Sequence, residues 1–132
     1  MPQKPDTQLL GHIFKGFRDI QAVYLFGSSA SGRMHAESDL DLALVLRDPQ
    51  IVPSKLDILA ELARAGFDGV DLVFLNTEDI VLNYEAVRQN QLVYASQDFD
   101  RGAYYSQVVR TYLDFVPYLE VQREAYRRRI LE

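Results

Sequence analysis

The segment Asp39 to Leu46, DLDLALVL, constrains the fold more than any other part of the chain. Leu40, Leu42, Leu44 and Leu46 share one parity, and Asp39, Asp41, Ala43 and Val45 share the other. Side chains alternate across a strand, so this pattern predicts a β-strand with one wholly apolar face. That face must be covered. The rest of the chain supplies the means. AVYLF, Ala22 to Phe26, reads as a strand that stops at the turn-forming run Gly27-Ser28-Ser29-Ala30-Ser31-Gly32. VDLVFL, Val70 to Leu75, reads as a third strand and Leu92-Val93-Tyr94 as a short fourth.

Helical spacing fills the gaps. Leu9, Leu10, Ile13, Phe14 and Phe17 predict a first helix, capped by Asp6 or Thr7. Pro53 and Ser54 open a second, with Leu56, Leu59, Ala60, Leu62 and Ala63 as its apolar positions and Gly66 closing it. Asn76-Thr77 offers a cap for a third through Ile80, Val81, Tyr84 and Val87. From about Arg101 to Ile130 one long helical pattern runs through Tyr104, Val108, Tyr112, Phe115 and Leu119, and Pro117 is expected to kink or divide it. Strands alternating with helices predict an α+β (α/β) sheet flanked by helices. At 132 residues this is a single domain.

Fourteen Lys and Arg against nineteen Asp and Glu give a net charge of −5. Without a cation excess, direct nucleic-acid binding is not expected, since little counterion release is on offer. The absence of cysteine excludes disulfides and thiolate metal sites, and His12 and His35 alone make a poor zinc set. The first residues lack the apolar core of a signal peptide, and no apolar run is long enough to span a bilayer. The expected location is the cytoplasm, with no membrane contact.

The chemistry concentrates around Gly27-Ser28 and Asp39-Leu40-Asp41. Asp39 and Asp41, two apart on a strand, project from one face and repel each other. A cation between them removes the repulsion, and oxygen-only ligands favour Mg2+ or Mn2+. Asp71 completes a three-carboxylate cluster if the third strand pairs with the second. A strand ending at Gly27-Ser28 aims backbone N–H groups and a hydroxyl at whatever sits above it, which suits phosphate. Each piece alone has an ordinary reading: a solvated strand edge, a turn, the polar face of a strand. Together they fit phosphoryl or nucleotidyl transfer.

The stretch GSSASGRMHAESDLDLALVL, Gly27 to Leu46, with VDLVFLN, Val70 to Asn76, and LVYASQD, Leu92 to Asp98, resembles the small MNT-type nucleotidyltransferases of the DNA polymerase β superfamily. The resemblance implies one nucleotidyltransferase domain, with a catalytic core over about 20–98 and a helical segment over about 101–130. It implies ATP as substrate with Mg2+ or Mn2+, and a HEPN-domain RNase toxin as partner, to whose tyrosine AMP is transferred. It implies that Gly27, Ser28, Arg33 and Ser38 contact the nucleotide. It implies further that Asp39, Asp41 and Asp71 bind metal and carry catalysis, Asp71 as the base. The family commonly reads G-S-x-A-R-G, whereas position 31 here is serine, so Arg33 is expected to supply the missing charge. Two other functions remain open: an antitoxin that neutralises by binding alone, and a small-molecule nucleotidyltransferase, for which the chain offers little extra structure.

Five of the eight tyrosines lie in the C-terminal helix: Tyr104, Tyr105, Tyr112, Tyr118 and Tyr126. Tyr104 and Tyr112 are expected to pack on the sheet domain. Val109, Leu113 and Val116 form a second apolar stripe that suits a partner or a second copy of the chain. Arg127-Arg128-Arg129 reads as a dipole-favoured helix end and His35 as an exposed loop residue.

Overall fold

A computed structural model describes residues 7–27, 40–75 and 78–131. The expectations for Asp6, Ser28, Ser31, Arg33, His35, Ser38, Asp39 and the Asn76-Thr77 cap lie outside the described residues.

The elements, in chain order, are α1 (Thr7–Phe14), β1 (Ile20–Leu25), β2 (Leu40–Leu46), α2 (Lys55–Arg64), β3 (Val70–Leu75), α3 (Ile80–Val87), β4 (Gln91–Ala95) and α4 (Arg101–Leu131). The four strands form one mixed sheet in the order β3-β2-β1-β4. β1 pairs antiparallel with β2 and with β4, while β2 and β3 run parallel, joined by the crossover through α2. A parallel pair needs such a crossover, and the length between β2 and β3 supplies it.

The alternation of β2 is realised on both faces of the sheet. Leu40, Leu42 and Leu44 join Val23, Leu25 and Leu72 under α1 and α2, which contribute Leu10, Phe14, Ile58 and Leu62. Ala43 and Val45 face the other way, with Ala22, Tyr24 and Leu75, under Ala86 and Val87 of α3 and Val108 of α4. The result is a helix–sheet–helix sandwich.

Three local readings are corrected by the structure. First, Leu56 of α2 is 76% exposed, and the buried stripe is Ile58 and Leu62, one turn apart. Ser54 does cap this helix, its hydroxyl accepting from the Asp57 N–H at 3.2 Å, and Gly66 follows it with φ +96°. Second, the residue capping α3 is Asp79, whose carboxylate accepts from the Leu82 N–H at 3.0 Å. Third, Pro117 does not divide α4, which continues as one helix from Arg101 to Leu131. Proline removes the ladder bond to the carbonyl of Leu113, a residue on the exposed side of the helix.

Tyr104 packs on the sheet as expected, its ring 6.3 Å from that of Tyr24 and 5.4 Å from that of Phe99. Tyr112 also packs on the sheet domain, stacked on Tyr84 of α3 with the rings 3.8 Å apart and nearly parallel. Beyond that point α4 exposes Leu113, Tyr118, Val121, Tyr126 and Ile130. Among the described residues, no helix is long and apolar enough to cross a membrane.

Candidate active site

The site is assembled at one edge of the sheet, where β1 ends and β2 and β3 begin. The Phe26 N–H donates to the Asp41 carbonyl at 3.2 Å and ties the exit of β1 to β2. Gly27 follows with φ +61°, a left-handed conformation that side chains other than glycine enter at a cost. A Cβ at this position would lie 3.1 Å from Oδ2 of Asp41. The backbone of the turn therefore lies against the carboxylate, and only glycine leaves that space clear.

Asp41 and Asp71 are register partners across the parallel β2–β3 pair. Neighbouring strands lie about 4.8 Å apart, and residues in register project to the same face, so the two carboxylates stand side by side. Their flanking residues fix that direction: Leu40, Leu42 and Leu72 are buried beneath α1 and α2, forcing Asp41 and Asp71 to the opposite face. Asp41 is half-buried against the turn and Asp71 is exposed. Two anions at this spacing repel, and a hard divalent cation with oxygen ligands is the group that relieves the repulsion. The donor set and the cleared space beside Gly27 fit such an ion. Of the residues expected in the site, the structure brings together Gly27, Asp41 and Asp71; Ser28, Arg33, Ser38 and Asp39 lie outside the described residues. Among the described residues no group of three or more metal-ligating side chains occurs.

Behind the site, two tyrosines are held neutral. Burial pushes the Tyr24 hydroxyl up to about 12, only partly offset by the Arg101 guanidinium. Burial also raises Tyr104, and the neighbouring Tyr24 raises it further. Arg101 is itself clasped to the turn before β4: its Nη2 donates to the Asn90 carbonyl at 2.7 Å, and Nε donates to Oδ1 of Asn90 at 3.2 Å. Asn90 sits at φ +54°, and the next residue, Gln91, registers with Leu25 of β1.

A mixed sheet carrying paired carboxylates against a glycine turn is the layout of a small nucleotidyltransferase. The family described as "Polymerase beta, Nucleotidyltransferase" matches residues 8–99, and the chain belongs to it. The protein adenylyltransferase MntA of Shewanella oneidensis is 29% identical over 100 residues, 76% of this chain and 72% of the relative. Among solved structures, a chain of a toxin–antitoxin crystal structure with AMP-PNP superposes with a TM-score of 0.72 at 24% identity, covering 96% of this chain and 99% of that one. A chain from a re-refined structure of tri-AMPylated Shewanella oneidensis HEPN toxin in complex with MNT antitoxin gives 0.64 at 22% identity, with 96% of each chain covered. These likenesses extend the shared fold over nearly the whole chain, α4 included.

Sequence reasoning missed one group of residues. Gln21, Asn83, Gln107 and Thr111 line a cavity on the face of the sheet beneath α3 and α4. No motif marks them. The only sequence signal is the helical period that places Tyr104, Gln107, Val108 and Thr111 on one face of α4.

Proposed function

We propose that this protein is an adenylyltransferase antitoxin that transfers AMP from ATP to a tyrosine of a HEPN-type toxin. The observation carrying the proposal is the in-register pair Asp41–Asp71 beside the glycine turn. The adenylyltransferase name of the Shewanella relative supports the reaction, and the toxin–antitoxin structures support the partner.

In this reading Gly27, with Ser28, holds the triphosphate through backbone N–H groups, and Arg33 and Ser38 add contacts to it. Asp39, Asp41 and Asp71 hold Mg2+ or Mn2+, which would neutralise charge on the phosphates and favour ionisation of the attacking hydroxyl. The tyrosine oxygen forms a bond to the α-phosphorus, the α–β bridging P–O bond breaks, and pyrophosphate departs. Asp71, the exposed carboxylate, accepts the phenolic proton. The exposed apolar residues of α4 beyond Tyr112 form the surface for the toxin or for a second copy of the chain.

A second reading is favoured by one observation: position 31 is serine where the family motif carries arginine. A weakened nucleotide site would leave an antitoxin acting by masking alone. Asp71→Asn distinguishes the two. Incubated with the toxin, ATP and Mg2+ and followed by mass spectrometry, the variant should transfer AMP about two to four orders of magnitude more slowly than wild type. It should still bind the toxin and fail to protect cells. Full protection by a transfer-dead Asp71→Asn protein at wild-type abundance would replace the first reading with the second.

A further inference from the structure

The sheet face that carries Asp41 and Asp71 has a second concavity at its other end. A cavity of about 270 Å³ opens where β2 and β3 finish. Its floor is Val45, Leu46 and Leu75, and α3 and α4 wall it with Ile80, Asn83, Gln107 and Thr111. Asp41 and Val45 are four residues apart on β2, and Asp71 and Leu75 are four apart on β3. At about 3.3 Å per residue the cavity floor lies roughly 13 Å from the carboxylate pair. It is not the site already described.

Its chemistry is specific. Val45, Leu75, Ile80 and Val108 give apolar walls. Three side-chain amides, Gln21, Asn83 and Gln107, each carry donors and an acceptor, and the Thr111 hydroxyl adds one of each. Among the described lining residues none is a carboxylate and the one charged residue is Arg47, although the Asp98 carboxylate that pairs with it stands beside the rim. The Arg47 Nη1 pairs with Asp98, and its Nε donates to the Arg18 carbonyl at 3.1 Å, so the side chain is held in place. Tyr104 contributes a hydroxyl that burial keeps protonated. The first turn of α3 also borders the space, with its N-terminal cap already filled by Asp79. Apolar walls with amide edges suit a flat heterocycle bearing its own donors and acceptors, and a fixed guanidinium at the rim suits an anion. At about 270 Å³ the cavity falls just below the usual range of ligand sites, which begins near 300 Å³.

We propose that this cavity is a second nucleotide site, taking a nucleoside monophosphate with its base among Gln21, Asn83 and Gln107 and its phosphate toward Arg47. It needs no metal and is independent of the transfer reaction proposed above.

The test uses AMP and adenosine as probes on the full chain in excess EDTA, which disables any metal-dependent site. AMP at saturation should raise the Tm by at least about 4 °C, and adenosine by less. An Asp41→Asn/Asp71→Asn double variant should keep the shift. Gln107→Ala and Thr111→Phe should lose it, and Arg47→Gln should abolish the preference for AMP over adenosine. Photolabelling with 8-azido-AMP in EDTA should mark peptides within residues 102–123, a readout on the wild-type protein that does not depend on how the variants fold. No shift in EDTA, a shift lost in the aspartate double variant but kept in the cavity variants, or no label within 102–123 would overturn the proposal. Equal binding of AMP and adenosine would overturn the phosphate position.

Discussion

Replacing Gly27 with alanine tests the geometry of the candidate active site most directly, because two separate costs are built into that position. The first is conformational: φ is +61°, and a residue with a Cβ pays about 1–2 kcal/mol to stay there. The second is steric and local: the added Cβ would sit 3.1 Å from Oδ2 of Asp41, so the carboxylate or the turn must give by a few tenths of an ångström. Gly66 supplies the control. It too has positive φ, +96°, but a Cβ there meets nothing within 4 Å. Gly66→Ala should therefore lose about the same stability, on the order of 1–2 kcal/mol or a few degrees of Tm, with unchanged nucleotide affinity. Gly27→Ala should lose that stability and, in addition, bind Mg2+-ATP at least about tenfold more weakly, the loss produced by 1.4 kcal/mol of misplacement. Gly27→Asn, which tolerates the left-handed conformation better, should recover stability but not affinity. Calorimetric titration with a non-hydrolysable ATP analogue, alongside urea unfolding, measures both quantities on each variant. If Gly27→Ala binds as wild type does, or if Gly66→Ala weakens binding equally, the contact between the turn and Asp41 has no part in holding nucleotide.

Four further outcomes are expected. Asp39→Asn with Asp41→Asn should abolish AMP transfer while leaving the apo protein equally or slightly more stable, since like-charge repulsion is relieved; wild-type transfer by that variant would rule the site out. Mg2+ with ATP should raise the Tm well beyond the shift seen with ATP and EDTA, by up to about 2.7 kcal/mol of stabilisation at a hundredfold excess over Kd. Tyr24 has a folded pKa of about 12 against 10.0 in the reference state, so the unfolded chain releases this proton first as pH rises. Stability present below pH 10 should fall between about pH 10 and 12, by at most about 2.7 kcal/mol for this group, and Tyr24→Phe should flatten that decline in urea melts run across the range. Leu113→Glu places a charge on the 60%-exposed apolar position of α4 and should weaken toxin binding in pull-downs without lowering the Tm; unchanged binding would move the partner surface elsewhere.

The strand β2 was legible because its alternation is complete: a residue either lies under α1 and α2 with Leu40, Leu42 and Leu44 or faces away with Ala43 and Val45. The partner of Asp41 was less so. Alternation in VDLVFL gives the direction of Asp71 relative to Leu72 but not its neighbour, because parallel and antiparallel pairing leave the same period in the sequence. The helices show where local rules yield to packing. In α2 a broad set of apolar positions fits the helical period, yet the core takes Ile58 and Leu62 and leaves Leu56 in water. At Pro117 the ladder bond to the Leu113 carbonyl is lost, yet α4 continues as one helix. The second cavity was invisible for a different reason: Gln21, Asn83 and Gln107 come from three elements, and polar residues on half-buried faces carry no period of their own.

What turns these pieces into a site is register. The aspartates at 41 and 71 lie on strands separated in sequence by α2, and a slip of one residue between β2 and β3 would send one carboxylate into the apolar layer beneath α1 and α2. The leucines prevent it. Leu40, Leu42 and Leu72 are buried to 2% exposure or less; a slip of β2 would turn Leu40 and Leu42 toward the opposite face and a slip of β3 would turn Leu72, at about 1.5–3 kcal/mol apiece for a buried apolar side chain. The same alternation that makes β2 a core strand thus fixes which pair of carboxylates stands side by side. On the other flank, the Phe26 N–H bonded to the Asp41 carbonyl sets Gly27 against that pair. The acidic residues contribute little to the core themselves; their positions are determined by the apolar neighbours on either side. Variants of those leucines should therefore lose activity through the geometry of Asp41 and Asp71 before they lose the fold.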